Sequence, residues 1–180
     1  ARPPAAAGTA QDKAEMGKAV FSFRDGLPLA LPEARFQGLL TLFERDPGVT
    51  DEITFFTSFT HPPIPLDVLQ QRLDILSKRM QACRQKGYRA GINILSTIGH
   101  HEENLDNSLQ GDYQPMTDID GKICRGSMCP NHNNLQQYVR SAYTAIVKAN
   151  PDYIWLDDDI RLAGHMPIYL TCFCDTCIAL

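Results

Sequence analysis

The sequence has no apolar run approaching the roughly 20 residues that span a bilayer, so no membrane-crossing segment is expected. It has no surplus of positive charge: 17 Lys and Arg stand against 21 Asp and Glu, a net charge of -4 at pH 7. That balance excludes the broad basic surface by which proteins grip nucleic acid or anionic lipid. Tryptophan is scarce, Trp155 alone, and its place in an apolar run assigns it to the core. No glycine-rich phosphate turn follows the first predicted strand, where Arg24-Asp25-Gly26-Leu27-Pro28 stands instead. This absence argues against an open dinucleotide-binding sheet. The chain starts at Ala1 and not at Met, and the expectation is a processed or shortened chain. Residues 1–16 are rich in Pro and Ala and lack the charged start and apolar centre of an intact signal peptide. We read them as a flexible lead-in. A cytoplasmic location is the expectation, with export after signal removal as the alternative.

What is present is enough for one well-buried domain. At 180 residues and 43% hydrophobic content, the chain can build a core without covalent staples. Its six cysteines therefore need another explanation than a disulfide frame. Cys172, Cys174 and Cys177 lie within six residues, with Cys83, Cys124 and Cys129 upstream. Thiols one or two residues apart pair poorly with each other but chelate a soft cation well, and zinc is the usual one.

Strands and helices alternate along residues 17–180. Val20-Phe21-Ser22-Phe23 is a short apolar run, and Phe36, Leu39, Leu40 and Phe43 then mark one face of a helix over 32–45. Residues 53–59 read as a second strand. Leu66, Leu69, Leu73, Leu76, Met80 and Cys83 draw one stripe along the next helix, opened by Pro65 and closed by Gly87. Cys83 on that stripe is a core residue. Residues 91–95 form the third strand. A long irregular stretch, about 97–133, follows; a loop of that length in a compact domain is usually functional. Asn134 with Gln137 predicts the start of a third clear helix, with Leu135, Val139, Ala142 and Ile146 as its buried face. Tyr153-Ile154-Trp155-Leu156 then reads as a buried strand.

Repeated βα units imply an α/β fold with a parallel sheet and right-handed crossovers. Four units are half of a TIM (β/α)8 barrel, which typically takes about 250 residues. The expected architecture is the amino-terminal half of such a barrel over 17–180, its remainder supplied by further chain or by an oligomeric partner.

Two features carry chemistry. The fourth strand ends in Asp157-Asp158-Asp159, at the strand end where barrel enzymes keep their active sites. Alternation points Asp157 and Asp159 to one side and Asp158 to the other. His100, His101, Glu102 and Glu103 follow the third strand and are expected at the same rim, where the two histidines are candidate substrate contacts. The second feature is the Cys172-x-Cys174-x-x-Cys177 cluster. A closed zinc site takes four ligands; we expect Cys129 as the fourth, because Cys129-Pro130-Asn131-His132 leads straight into a helix, with Cys124 or His132 as alternatives. Four thiolates leave no open position, so the zinc is structural, with sulfurs expected within about 4 Å of one another. Asp118-Ile119-Asp120-Gly121 resembles the start of a calcium loop, but no ligand pattern continues and we read it as a turn.

The order of these parts resembles the glycoside hydrolase family 42 β-galactosidases and their barrel relatives. They carry a Cys-Pro-Asn-like helix start, an Asp-Asn-Glu strand end and a Cys-x-Cys-x-x-Cys zinc cluster. The resemblance covers the chain from about residue 50 onward. It implies hydrolysis of glycosidic bonds in a carbohydrate substrate, with no nucleic-acid or membrane partner. The family's acid/base glutamate falls on Asp159, and the asparagine that holds the sugar 2-hydroxyl falls on Asp158. Aspartate sets its carboxyl back by about 1.5 Å, a large fraction of the roughly 5–5.5 Å between the two carboxyls of a retaining enzyme. The family's nucleophile comes from a later strand. Two other readings follow from these departures. One is a non-catalytic zinc-stapled barrel binding sugar or a protein partner. The other is a hydrolase holding a divalent ion with Asp157, Asp159 and the rim histidines.

Overall fold

The computed structural model describes residues 19–95, 97–100, 102, 105–157, 162–164 and 166–180. In chain order its elements are β1 (Ser22–Asp25), α1 (Leu27–Ala30), α2 (Glu33–Arg45), β2 (Glu52–Phe56), α3 (Leu66–Gln85) and β3 (Arg89–Ile94). They continue with α4 (Leu105–Ser108), β4 (Pro115–Thr117), β5 (Ile123–Met128), α5 (Asn133–Lys148), β6 (Ile154–Leu156) and α6 (Asp175–Ile178). Strands β1, β2, β3 and β6 form one sheet in that order, each pair parallel. The fold is α/β, with helices between successive parallel strands, as in part of a TIM-like barrel. The expected lead-in, residues 1–16, lies outside the described residues. No helix of the described residues is long and apolar enough to cross a membrane.

One face of the sheet meets the helices. Ile53 and Phe55 of β2 and Ala90, Ile92 and Ile94 of β3 are buried there with Phe36, Leu40 and Phe43 of α2. The stripe on α3 adds Leu69, Leu73, Leu76, Met80 and Cys83, and α5 adds Leu135, Tyr138, Ala142 and Ile146. Leu66, the first position of the predicted stripe, is 42% exposed because it opens the helix. Each fully buried side chain of this size contributes roughly 1.5–3 kcal/mol.

The other face is polar and strongly concave. Register places Arg24 of β1 level with Thr54 and Gly91, and so with Tyr153, one step before the Ile92–Ile154 pair. Asp157 lies three strands across and four residues up from Arg24. In a flat sheet those Cα atoms would be about 19 Å apart, from ~4.8 Å per strand and ~3.3 Å per residue. An arginine and an aspartate together reach about 14 Å. Yet Arg24 hydrogen-bonds Asp157, and its Nη2 also donates to Asn93 Oδ1 at 3.1 Å. Only a curled sheet permits this. Deeper on the same face Thr54 Oγ1 meets Ser22 Oγ at 3.0 Å and Tyr153 Oη at 2.7 Å, and the Tyr153 ring fills the space a side chain at Gly91 would need. Side chains from alternate strands meeting in layers are the interior pattern of a barrel wall.

Several sequence expectations shift. The irregular stretch contains the antiparallel hairpin β4–β5, whose short and Gly-interrupted strands give no periodic signal. Its turn is the Asp118–Gly121 segment, where Asp118 Oδ1 accepts from the backbone N–H groups of Asp120 and Lys122 at 3.0 and 2.8 Å. Gly121 there has a φ of 79°, a conformation glycine adopts without strain. Helix α5 starts at Asn133 behind His132, without a side-chain cap bond. Asn134, the predicted cap, donates instead to Asp112 O and Oδ2 at 2.9 and 3.0 Å. The fourth strand is not buried: Ile154, Trp155 and Leu156 are 37%, 39% and 58% exposed. It is an edge strand, and among the described residues the only helix that follows it is the one-turn α6.

Candidate metal centre and strand-end rim

The hairpin and the carboxyl-terminal segment build the thiol cluster together. Asp118 bridges to Thr171, and the Phe173 amide donates to Thr117 O at 2.8 Å, so residues 171–173 dock on β4. Cys172 lies in this docked segment and Cys174 just beyond it is the N-cap residue of α6, whose first turn brings Cys177 back, its amide donating to Cys174 O at 2.9 Å. Cys129 comes from the opposite side. It leaves β5 with its amide bonded to Gln114 O at 2.7 Å, just before the turn into α5.

The sulfurs of Cys129, Cys172, Cys174 and Cys177 all lie within 4.8 Å of one another. Tetrahedral coordination at a Zn–S distance of about 2.3 Å needs separations near 3.8 Å. The cluster is thus slightly wider than the expected ~4 Å, and shifts below about 1 Å close it. Cys129 and Cys177 approach to 3.4 Å, far longer than the ~2.05 Å of a disulfide, and all six cysteines are free thiols. Burial, then the hydrogen bond with Cys177, pushes the Cys129 thiol up, and burial raises Cys172. For Cys174, burial is the largest single influence and opposes ionisation. It is outweighed by the Cys177 amide and the neighbouring thiols, which bring the group below its usual value. Four soft donors, with no carboxylate or imidazole in the cluster among the described residues, can hold a metal ion.

The alternatives for the fourth ligand lie elsewhere. Cys124 is fully buried, 3.5 Å from Ser127 Oγ and 3.8 Å from Met166 O. His132 turns Nδ1 toward the Gln114 amide at 3.4 Å. Asn131, which sequence reasoning did not single out, donates from Nδ2 to Cys177 Sγ at 3.3 Å. Its place in Cys-Pro-Asn was the available signal, since ligand sulfurs are commonly oriented by a second layer of donors.

The second constellation lies at the carboxyl ends of the parallel strands. The Asp157 amide continues the sheet by bonding Ile94 O at 2.9 Å, and its carboxylate faces Arg24, with Asn93 Nδ2 at 3.5 Å. The Arg24 guanidinium stacks between two rings, 4.9 Å from the Phe56 centroid and 5.1 Å from that of Trp155. Trp155 is therefore a wall of the concave face and not core: it pairs in register with Asn93, which points inward. Arg24 was also missed, although a charge inside a short strand was a visible signal. Asp158, Asp159 and His101, expected at this rim, lie outside the described residues. His100 is half-buried with its ring edge-on to His61 at 4.8 Å between centroids. Glu102 binds Arg125 of β5, whose hydrogen bond holds its carboxyl below the usual range. Beside Phe56 opens a recess of about 200 Å³. Neighbouring Asp25 is fully buried, and neither carboxylate oxygen has a hydrogen-bond partner among the described residues; burial raises its pKa to about 7.

No protein-family model matches the chain, and no curated protein matches it. Among solved structures, a crystal structure of a MUTB mutant from crystals soaked with trehalulose aligns at a TM-score of 0.47 and 12% identity. The alignment covers 77% of this chain and 34% of that one, so the chain spans about a third of the length of that structure.

Proposed function

We propose that this chain forms part of a carbohydrate-active barrel that binds sugar at the carboxyl ends of its strands and hydrolyses glycosidic bonds. One observation carries the reading: Arg24, its guanidinium between the rings of Trp155 and Phe56, joins Asn93 and Asp157 in a polar cluster on the concave face. A sugar ring needs this combination, with hydrogen-bonding groups for its hydroxyls and an aromatic face for its C–H surface. In this reading Asp159 is the acid/base, two residues beyond Asp157, and Asp158, His100 and His101 contact the substrate. The second carboxylate comes from another strand of the barrel. The family 42 likeness supports the assignment through the order of its motifs alone. Cys129, Cys172, Cys174 and Cys177 hold one zinc, which supplies folding energy by pinning the hairpin to the segment after β6. With four thiolates it takes no part in bond cleavage.

The test is turnover of 4-nitrophenyl glycosides by the full-length protein, with the whole barrel present, and by its Asp159→Asn variant. A loss of at least a hundredfold in kcat is expected, within the range removed with a general acid. Unchanged turnover removes Asp159 from the mechanism. Tight sugar binding with no turnover by the parent protein would favour the non-catalytic, zinc-stapled barrel, a reading the shorter Asp159 side chain supports.

A further inference from the structure

We propose that the recess beside the rim binds the aryl group of an aryl glycoside. The proposal rests on the carbohydrate reading above and adds a substrate class to it. Gly26 and Leu27 after β1, Phe56, Ser58 and Phe59 at the end of β2, and Leu95 after β3 line the recess. Its volume is about 200 Å³; an apolar cavity of roughly 150 Å³ already accepts benzene. The lining offers carbon. Ser58 Oγ is committed to Thr60 O at 2.7 Å, and Gly26 O accepts the Leu29 and Ala30 amides at 3.0 and 3.1 Å. A mainly apolar lining in which these two polar atoms are already hydrogen-bonded favours an apolar ligand group.

Position identifies which ligand. Phe56 forms a wall of the recess and also carries the Arg24 guanidinium at 4.9 Å. The polar constellation and the apolar recess therefore share a boundary one ring wide. A molecule filling both has a polyhydroxylated part against Arg24, Asn93 and Asp157, joined directly to a flat apolar part of phenyl size. An aryl glycoside has that form. Phe59, 62% exposed, is the solvent-facing side of the recess, and burying its ring against a ligand aryl group adds the offset-stacked or edge contact that aromatic pairs favour.

The experiment titrates the protein with 4-fluorophenol, followed by fluorine NMR, and compares Phe59→Ala with Phe21→Ala. Phe21 is 61% exposed ahead of β1 and is not among the residues lining the recess. Saturable binding is expected, with Kd raised at least fivefold by Phe59→Ala and unchanged by Phe21→Ala. No saturable binding, or equal weakening in both variants, overturns the proposal. Parallel kinetics on methyl and phenyl glycosides separate it from the reading beneath it. Phe59-dependent binding in a protein that cleaves neither glycoside leaves the recess standing and removes the glycosidase. Cleavage of both with the same KM, and no 4-fluorophenol binding, removes the recess and leaves the glycosidase.

Discussion

Replacing Asp25 with asparagine removes the least compensated charge in the described core. Asp25 is 0% exposed, pairs in register with Phe55, and neither of its oxygens has a hydrogen-bond partner among the described residues. Burial raises its pKa from 3.8 to about 7. In the unfolded chain it ionises near pH 4, while in the folded protein it keeps its proton until near neutrality. The unfolded state therefore binds fewer protons across that interval, and stability falls as pH rises. The contribution is fully present below pH 4, declines through the interval and levels off above pH 7. At ~1.36 kcal/mol per pKa unit the total is on the order of 4 kcal/mol, a large share of a typical stability of about 5–15 kcal/mol. Between pH 5 and pH 8 the loss is roughly 2–3 kcal/mol. The amide of the Asp25→Asn variant cannot titrate, so its constant cost as a buried group cancels when the two proteins are compared across pH. Urea unfolding at half-unit steps from pH 5 to 8 should show Asp25→Asn gaining about 2–3 kcal/mol on the parent. A difference that stays flat across the range refutes the reasoning and means that the carboxylate finds a partner in solution.

Metal analysis should find one zinc per chain, and chelation should raise hydrogen exchange in residues 115–128 and 166–180 well before β2 and β3; equal loss of protection throughout would defeat the pinning role. Gly91→Ala places a methyl group against the Tyr153 ring and should cost about 1–3 kcal/mol in urea unfolding. A neutral result there would mean that Tyr153 does not pack across the sheet onto Gly91.

The parts that could be read from the sequence share one property: a few consecutive residues determine them. The α3 stripe is legible because helical spacing repeats every three to four positions, and Leu69, Leu73, Leu76, Met80 and Cys83 are buried accordingly. Succession of βα units implied parallel pairing, since a crossover helix leaves little other choice. The spacing of Cys172, Cys174 and Cys177 announced a chelate within six residues. What local pattern could not reach was any relation depending on how far the sheet curls. Trp155 sat in an apolar run and was assigned to the core, yet strand order left β6 at the edge and its indole lies against the Arg24 guanidinium on the concave face. The hairpin was hidden because its strands are three and six residues long and Gly126 interrupts the second.

By itself, then, the sequence determined the α/β class, the helix faces and a cysteine cluster able to hold a metal ion. Backbone periodicity and ligand spacing are short-range properties that survive without the rest of the molecule. The sequence favoured Cys129 as the fourth thiol, but only the tertiary structure decided between it, Cys124 and His132 by bringing Cys129 to Cys177 across 48 residues; it alone showed that Arg24 reaches Asp157 across 133. Those closures are products of sheet curvature and of docking between the hairpin and the terminal segment. Both depend on the packing of the whole core, which no window of neighbouring residues encodes.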